Sequence, residues 1–234
     1  ALRLWNQINY GQDLVYGPRT GGIYYWTANN GVTTRGVLLN TLGGNVTFTS
    51  ASPTVVTSTS NILFTEGAAL QFAATTSLPI NISAATTYYV FEVSGLTFKL
   101  LDTAGAAVNT ASTGTGVYVS LLVDVPTILN TLTVSDTSRF VLTFGCNDYG
   151  SATLDPMLIR WSAQDDIYNW TPDPTNQAGF IRISHGSEIV SVLQTRQEDV
   201  VFTHSSVYSL QYLGSPYVWV PQLLGDNISI MSPN

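Results

Sequence analysis

"EIVSVLQTRQEDVVFTHSSVYSLQYLG", Glu188 to Gly214, is the stretch whose reading decides the fold. Three runs rich in β-branched and aromatic residues follow one another with only short polar breaks. Apolar and polar residues alternate with a period of two, the mark of a strand with one face in a core. The breaks are too short for a crossover connection, so successive strands must be antiparallel neighbours. The stretch predicts a β-meander.

The same texture extends outward. "DLVYGPRTGGIYYWT" (Asp13–Thr27) holds a strand pair, and "RFVLTFGCNDYGSATLDPMLIRWS" (Arg139–Ser162) holds another. Further strand runs are "NVTFTS", "TTYYVFEV", "LTFKLL" and "GVYVSLLV", each bounded by Gly, Asn, Asp or Pro. Nothing longer than about ten residues carries apolar spacing at the helical period. The fold class read from this is all-β. Repeated four-stranded meanders are the blades of a β-propeller, and an antiparallel sandwich gives nearly the same pattern.

Composition divides the chain. Residues 43–120 contain four charged residues (Glu66, Glu92, Lys99, Asp102) and a great excess of Thr, Ser and Ala. All five tryptophans (Trp5, Trp26, Trp161, Trp170, Trp219) and all seven arginines lie outside that segment. We therefore expect residues 1–42 and 121–234 to form one domain, propeller-like or an antiparallel meander. Residues 43–120 are expected as a small β-sandwich inserted into one of its loops.

Charge excludes some functions. Charged residues make up 10% of the chain, against about a quarter in ordinary domains. Net charge is −7 and the eight basic residues are scattered singly, so tight binding of nucleic acid by phosphate neutralisation is not expected. No apolar run approaches the roughly eighteen residues needed to span a bilayer as a helix. Cys146 is the single cysteine, which rules out an internal disulfide. The end, "DNISIMSPN", stops just after an apolar strand-like run and reads as a chain cut short.

One stretch departs from the rest. "DPMLIRWSAQDDIYNWTPDP" (Asp155–Pro174) carries four carboxylates, one arginine and two tryptophans. A cation site built on Asp165 and Asp166, with Asp155 or Asp173, would need oxygen ligands at alternating spacing and a turn glycine, and "DDIYNW" has neither. The expectation is a structural joint formed by Asp155, Arg160, Trp161, Asp165, Asp166 and Trp170. In this reading a strand leaves its sheet at Ser162, Trp170 packs beneath the connection, and Arg160 suits a bidentate carboxylate partner. His185 and Glu188 sit on a Gly-containing turn, and His204 on a turn between strands. Cys146 ends an apolar strand and reads as a packed core thiol. No catalytic, cofactor-binding or metal-binding residue is nominated, and no enzymatic activity is expected.

The segments "VPTILNTLTVSDTSRFVLTFGCNDYGSATLDPMLIRWSAQDDIYNWTP" and "GFIRISHGSEIVSVLQTRQEDVVFTHSSVYSLQYLGSPYVWVPQLLGDNISIMSPN", with the first forty residues, resemble tail nozzle or hub proteins of short-tailed bacteriophages. These are akin to packaged-DNA-stabilisation proteins. "GAALQFAATTSLPINISAATTYYVFEVSGLTFKLLDTAGAAVNTASTGTGVYV" resembles a β-sandwich decoration of phage tail and capsid proteins. Many nozzle relatives lack such an insertion. The resemblance implies a virion location and a ring of six copies that passes DNA without tight binding. It also implies contacts with the adaptor and other tail proteins, no membrane and no cofactor. A carbohydrate-binding or adhesin module of a phage tail is the alternative.

Overall fold

The computed structural model describes residues 4–33, 35–39, 44–59, 64, 66–84, 86–122, 124–135, 138–195, 198–230 and 232. The expected boundary at 42/43 and the last two residues lie outside them. The fold is all-β, with a short 3₁₀ turn at Ala28–Asn30. Among the described residues no helix is long and apolar enough to cross a membrane.

The chain divides into two compact units. One comprises Ala1–Leu38, Pro126–Ile167 and Pro172–Asn234; the other comprises Leu39–Val125 and Tyr168–Thr171. The second unit is thus slightly wider than residues 43–120, and it takes in four residues from far along the chain.

The first unit consists of three four-stranded antiparallel sheets, each pairing its strands in chain order. Sheet one holds β1 (Trp5–Tyr10), β2 (Asp13–Pro18), β3 (Tyr24–Trp26) and β4 (Val37–Leu38). Six strands of the second unit, from β5 (Gly44–Phe48) to β10 (Thr115–Leu122), come next in the chain. Sheet two holds β11 (Leu129–Val134), β12 (Val141–Asn147), β13 (Leu154–Trp161) and β14 (Gly179–Arg182). Sheet three holds β15 (Ile189–Gln194), β16 (Asp199–Thr203), β17 (Ser206–Gly214) and β18 (Val218–Asp226). The meander predicted for Glu188–Gly214 is β15–β16–β17, and β18 completes it.

The leading strands of the sheets gather together, with β11 beside β1 and β2 and also beside β15. Sheet two therefore has neighbours on both faces. Its β11 and β12 are buried at every position, and the last five residues of β13 are buried too. Phe144, Ile159 and Trp161 meet Val201, Tyr208, Leu210 and Trp219 of sheet three in one core. Each such side chain contributes about 1.5–3 kcal/mol by leaving water. Polar residues on these doubly buried strands are satisfied locally: the Thr143 hydroxyl donates to the Arg160 carbonyl at 3.1 Å. A strand buried on both faces keeps no period-two alternation.

The second unit is a closed six-stranded barrel. It comprises β5 (Gly44–Phe48), β6 (Val56–Ser58), β7 (Ala69–Ser77), β8 (Tyr88–Ser94), β9 (Thr97–Leu101) and β10 (Thr115–Leu122). Its order is β10-β5-β6-β9-β8-β7. The Thr-rich segment closes on itself rather than forming two separate sheets, because β10 pairs β5 along one edge and β7 along the other. Closure removes the free edges that a charge-poor sheet would otherwise expose. Phe48 and Phe72 meet edge to face at 5.2 Å, as do Phe64 and Phe98. The buried hydroxyls of Thr54 and Thr110 both donate to the Thr49 carbonyl, at 2.9 and 2.6 Å.

Candidate functional site

The residues of Asp155–Pro174 go to separate places. Asp155, at the start of β13, accepts from the Met157 N–H at 3.0 Å and pairs with Arg182 at 2.7 Å. This partner keeps the Arg182 guanidinium charged above its ordinary range. Arg160 is 1% exposed; it donates to the Asn147 carbonyl at 2.9 Å and lies over the Tyr149 ring, 3.7 Å from its centroid. Stacking on an aromatic face suits a buried guanidinium, whose hydration is weak. The Trp161 indole donates to the Gln177 carbonyl at 2.8 Å, with its ring in the core shared by sheets two and three.

After β13 the chain turns through Asp165, which adopts φ +57° and pairs with Arg139 at 3.0 Å. Arg139 also lies over the Tyr10 ring at 4.9 Å, tying the turn to sheet one. Asp166 is buried in the same turn, and its N–H reaches the Ala163 carbonyl at 3.4 Å. Tyr168–Thr171 then belong to the second unit. There Asn169 donates to the Glu66 carbonyl at 3.4 Å and the Thr171 hydroxyl to Asp124 at 2.9 Å. Trp170 is fully buried. Asp173 accepts from the Thr175 N–H and hydroxyl at 2.8 and 2.6 Å, so Asp155, Asp165 and Asp173 each serve a different partner. Among the described residues no group of three or more His, Cys, Asp or Glu side chains is placed to hold a metal ion.

Sequence reasoning missed a polar clasp where the three sheets of the first unit meet. Glu188, just before β15, accepts from Arg19 at 2.5 Å and from Asn130 of β11 at 3.1 Å. Arg19 follows β2 and also donates to the Val190 carbonyl at 3.2 Å. Asn6 of β1 reaches the Asn130 carbonyl at 3.4 Å, and the His204 ring stands 3.8 Å from Glu188. Each sheet supplies at least one member. The pair Arg19 and Glu188 is 169 residues apart, and no local spacing signals it. His185 turns away from this cluster, its ring 3.1 Å from the Tyr208 hydroxyl. A single carboxylate held by an arginine and an amide can fasten sheets together.

No family model matches the sequence, and no curated protein matches it.

Two further features bear on function. Cys146 is fully buried with its thiol toward the Leu158 carbonyl at 3.7 Å, and burial pushes it up to about 12, so it is no nucleophile at neutral pH. On sheet one, Trp5, Tyr16 and Tyr24 form an accessible aromatic cluster. The two tyrosines are stacked with centroids 5.3 Å apart, and Trp5 is 51% exposed. Gln7 and Asn9 alternate with the inward residues of β1 and share the face of Trp5.

Proposed function

We propose that this chain is a structural protein of a phage tail, a ring-forming subunit of the nozzle or hub through which DNA leaves the virion. The observation that carries the reading is the stack of three four-stranded meanders with their leading strands together. It belongs to a chain in which only one residue in ten is charged. Such a stack makes a stiff wall, because its middle sheet is buried on both faces. A wall with few scattered basic groups lets a polyanion slide without holding it. A ring requires head-to-tail contacts that close by rotation. Imaging of purified tails carrying a label on this chain tests the reading: it expects several copies in a ring on the tail axis. Label elsewhere in the particle, or absent from it, would overturn it.

The Trp5–Tyr16–Tyr24 cluster favours a second reading, a carbohydrate-binding module, since accessible flat rings beside amides suit a neutral sugar. Retention on an immobilised glycan that is lost in Trp5→Ala would support it over the ring.

A further inference from the structure

The stack of three sheets has two end faces. One belongs to sheet three, whose inner face carries Val201, Tyr208 and Leu210 into the shared core. Strand register puts Leu193, Val200, Ser209 and Gln222 in one row on the opposite face, and Ser191, Phe202, Val207 and Gly225 in the next. Leu193 is 59% exposed. After β18 the chain returns here: the Ile228 N–H bonds to the Ser205 carbonyl at 3.2 Å, and its side chain lies against Gly225 while staying 47% exposed. The nearby carboxylate of Glu198 is taken up by Ser209 and Gln211. The other end face belongs to sheet one. Asn6 reaches inward to sheet two, so Trp5, Gln7 and Asn9 lie on the outer side. Register extends that side through Tyr16, Tyr24 and Leu38 in one row and through Leu14 and Trp26 in another.

Three observations say what covers these faces. The unit already makes this kind of contact twice, with β11 beside β1 and β2 and also beside β15, so an uncharged sheet face here takes another sheet of the same kind. No residue in these rows is charged, in a chain of net charge −7, so two copies can meet through them without bringing carboxylates together. Finally, two copies joined through sheet three alone would leave the aromatic face of sheet one in water, and a saccharide on sheet one would leave Leu193 and Ile228 there. Setting sheet three of one copy on sheet one of the next covers both faces with a single contact.

We propose that copies of this chain associate head to tail, with the Leu193 face of sheet three in one copy packed on the Tyr16–Tyr24 face of sheet one in the next. Such a contact is heterologous, so it closes into a ring or continues as an open stack. It supplies the contact surface for the ring reading and rests on that reading for closure alone.

Sedimentation velocity of the whole chain over concentrations from about 1 to 500 μM tests it. Species larger than a dimer are expected as concentration rises, with a Kd on the order of 0.1–100 μM for each contact. Leu193→Glu charges one face and Trp5→Glu the other. Each should weaken self-association at least about tenfold without shifting thermal unfolding, since both side chains are exposed. Mixed in equal amounts, the two variants should form a heterodimer that grows no further, because each keeps the face that the other lacks. If either fails to fold, Gln222→Glu and Gln7→Glu, on the same two faces, take their places. A parent chain that stays monomeric throughout overturns the proposal, as it would if retained on an immobilised glycan through Trp5. Unweakened self-association of Trp5→Glu alone would mean an isologous contact of sheet three and overturn it equally. Head-to-tail assembly in solution with the label off the tail axis would support the contact and overturn only the ring reading. A labelled ring in tails with a monomeric parent chain would overturn the contact and leave the ring.

Discussion

The two units use the same strand chemistry and solve opposite problems. The barrel closes through β10, which pairs with β5 on one side and β7 on the other, so its strands need no outside partner for their edges. The three sheets of the first unit stay open at their edges and gain their core by lying face to face. Residue choice follows. The barrel uses Thr, Val and Phe, alternating in and out; β5 is buried at every second residue. The stacked sheets place particular side chains in the spaces between sheets: Trp161 and Trp219 in the shared core, and Arg19, Asn130 and Glu188 in the clasp. A self-closed element can do with uniform composition, whereas a stack needs particular side chains at its seams.

The sharpest test of this difference removes a seam residue. Trp161→Ala deletes a ring that is 5% exposed in the core between sheets two and three. It should cost about 3–5 kcal/mol. Phe72→Ala in the barrel removes a fully buried ring that meets Phe48 and Tyr88, and should cost a similar amount. Denaturant unfolding followed by far-UV circular dichroism measures both. Unchanged unfolding in Trp161→Ala would mean that the sheets hold together without this seam.

This contrast also explains which parts could be read from the sequence. Alternating burial along β5, β8 and β9 leaves a period-two pattern, so these strands were legible, as was the composition break that marks their segment. "RFVLTFG" was legible as a strand only by residue type, because β12 is buried on both faces. Barrel closure was not legible: Tyr118 pairs with both Asn45 and Ala73, and no local turn encodes that meeting. The candidate site fared worse. Asp155–Pro174 stands out by composition, yet Asp155 pairs with Arg182, Asp165 with Arg139, and Asp173 holds the Thr175 turn. The clasp around Glu188 depends on Arg19 and Asn130, brought near only by the stacking of sheets.

Gly145→Ala is expected to have the next largest effect. Gly145 has φ +58° in β12, and a Cβ there would stand 2.8 Å from the Asn130 side-chain nitrogen. The left-handed backbone costs roughly 1–2 kcal/mol for an alanine, and displacing Asn130 adds to it, so about 2–3 kcal/mol should be lost. Gly95, in the β8–β9 turn of the barrel, has φ +59° with nothing within 4 Å of such a Cβ. Gly95→Ala should cost only the backbone share, about 1–2 kcal/mol. Equal losses, measured by thermal unfolding, would show that the Asn130 contact adds nothing.

Cys146 sharpens the comparison through pH. Burial holds the thiol protonated in the folded protein to about 12, against an ordinary value of 9.0. Below pH 9 the group carries its proton in both states and contributes no pH dependence. Above pH 9 the unfolded chain releases it while the folded one retains it, so stability falls as pH rises towards 12. The loss should be on the order of 1 kcal/mol at pH 10. Cys146→Ala should flatten the slope of stability between pH 9 and 10.5 relative to the parent chain. An unaltered slope, or rapid reaction of the native thiol with a disulfide reagent at pH 8, would place this seam in contact with solvent.

The smallest effect expected is at the clasp itself. Glu188 and Arg19 keep 34% and 22% of their side chains exposed, so water and salt screen the pair. Removing the charge in Glu188→Gln preserves shape and one acceptor oxygen for Asn130, which leaves only the ionic part of the Arg19 bond to lose. That part is worth at most about 1 kcal/mol for a partly exposed pair. It should shrink further in 0.5 M salt, where the Debye length falls to about 4 Å. Glu188→Ala should cost more than Glu188→Gln, because it leaves the Asn130 amide and the Arg19 Nη2 short of an acceptor, while Nη1 keeps the Val190 carbonyl. The barrel's ion pair, Lys99 with Glu92, lies on one hairpin with Glu92 60% exposed and joins no separate sheets. Glu92→Gln should therefore be silent within error. Parallel urea titrations of the three variants at low and high salt order these effects. If Glu188→Gln and Glu92→Gln are equally silent at low salt, the three sheets are held by their apolar faces alone, and the clasp only fills the space where they meet.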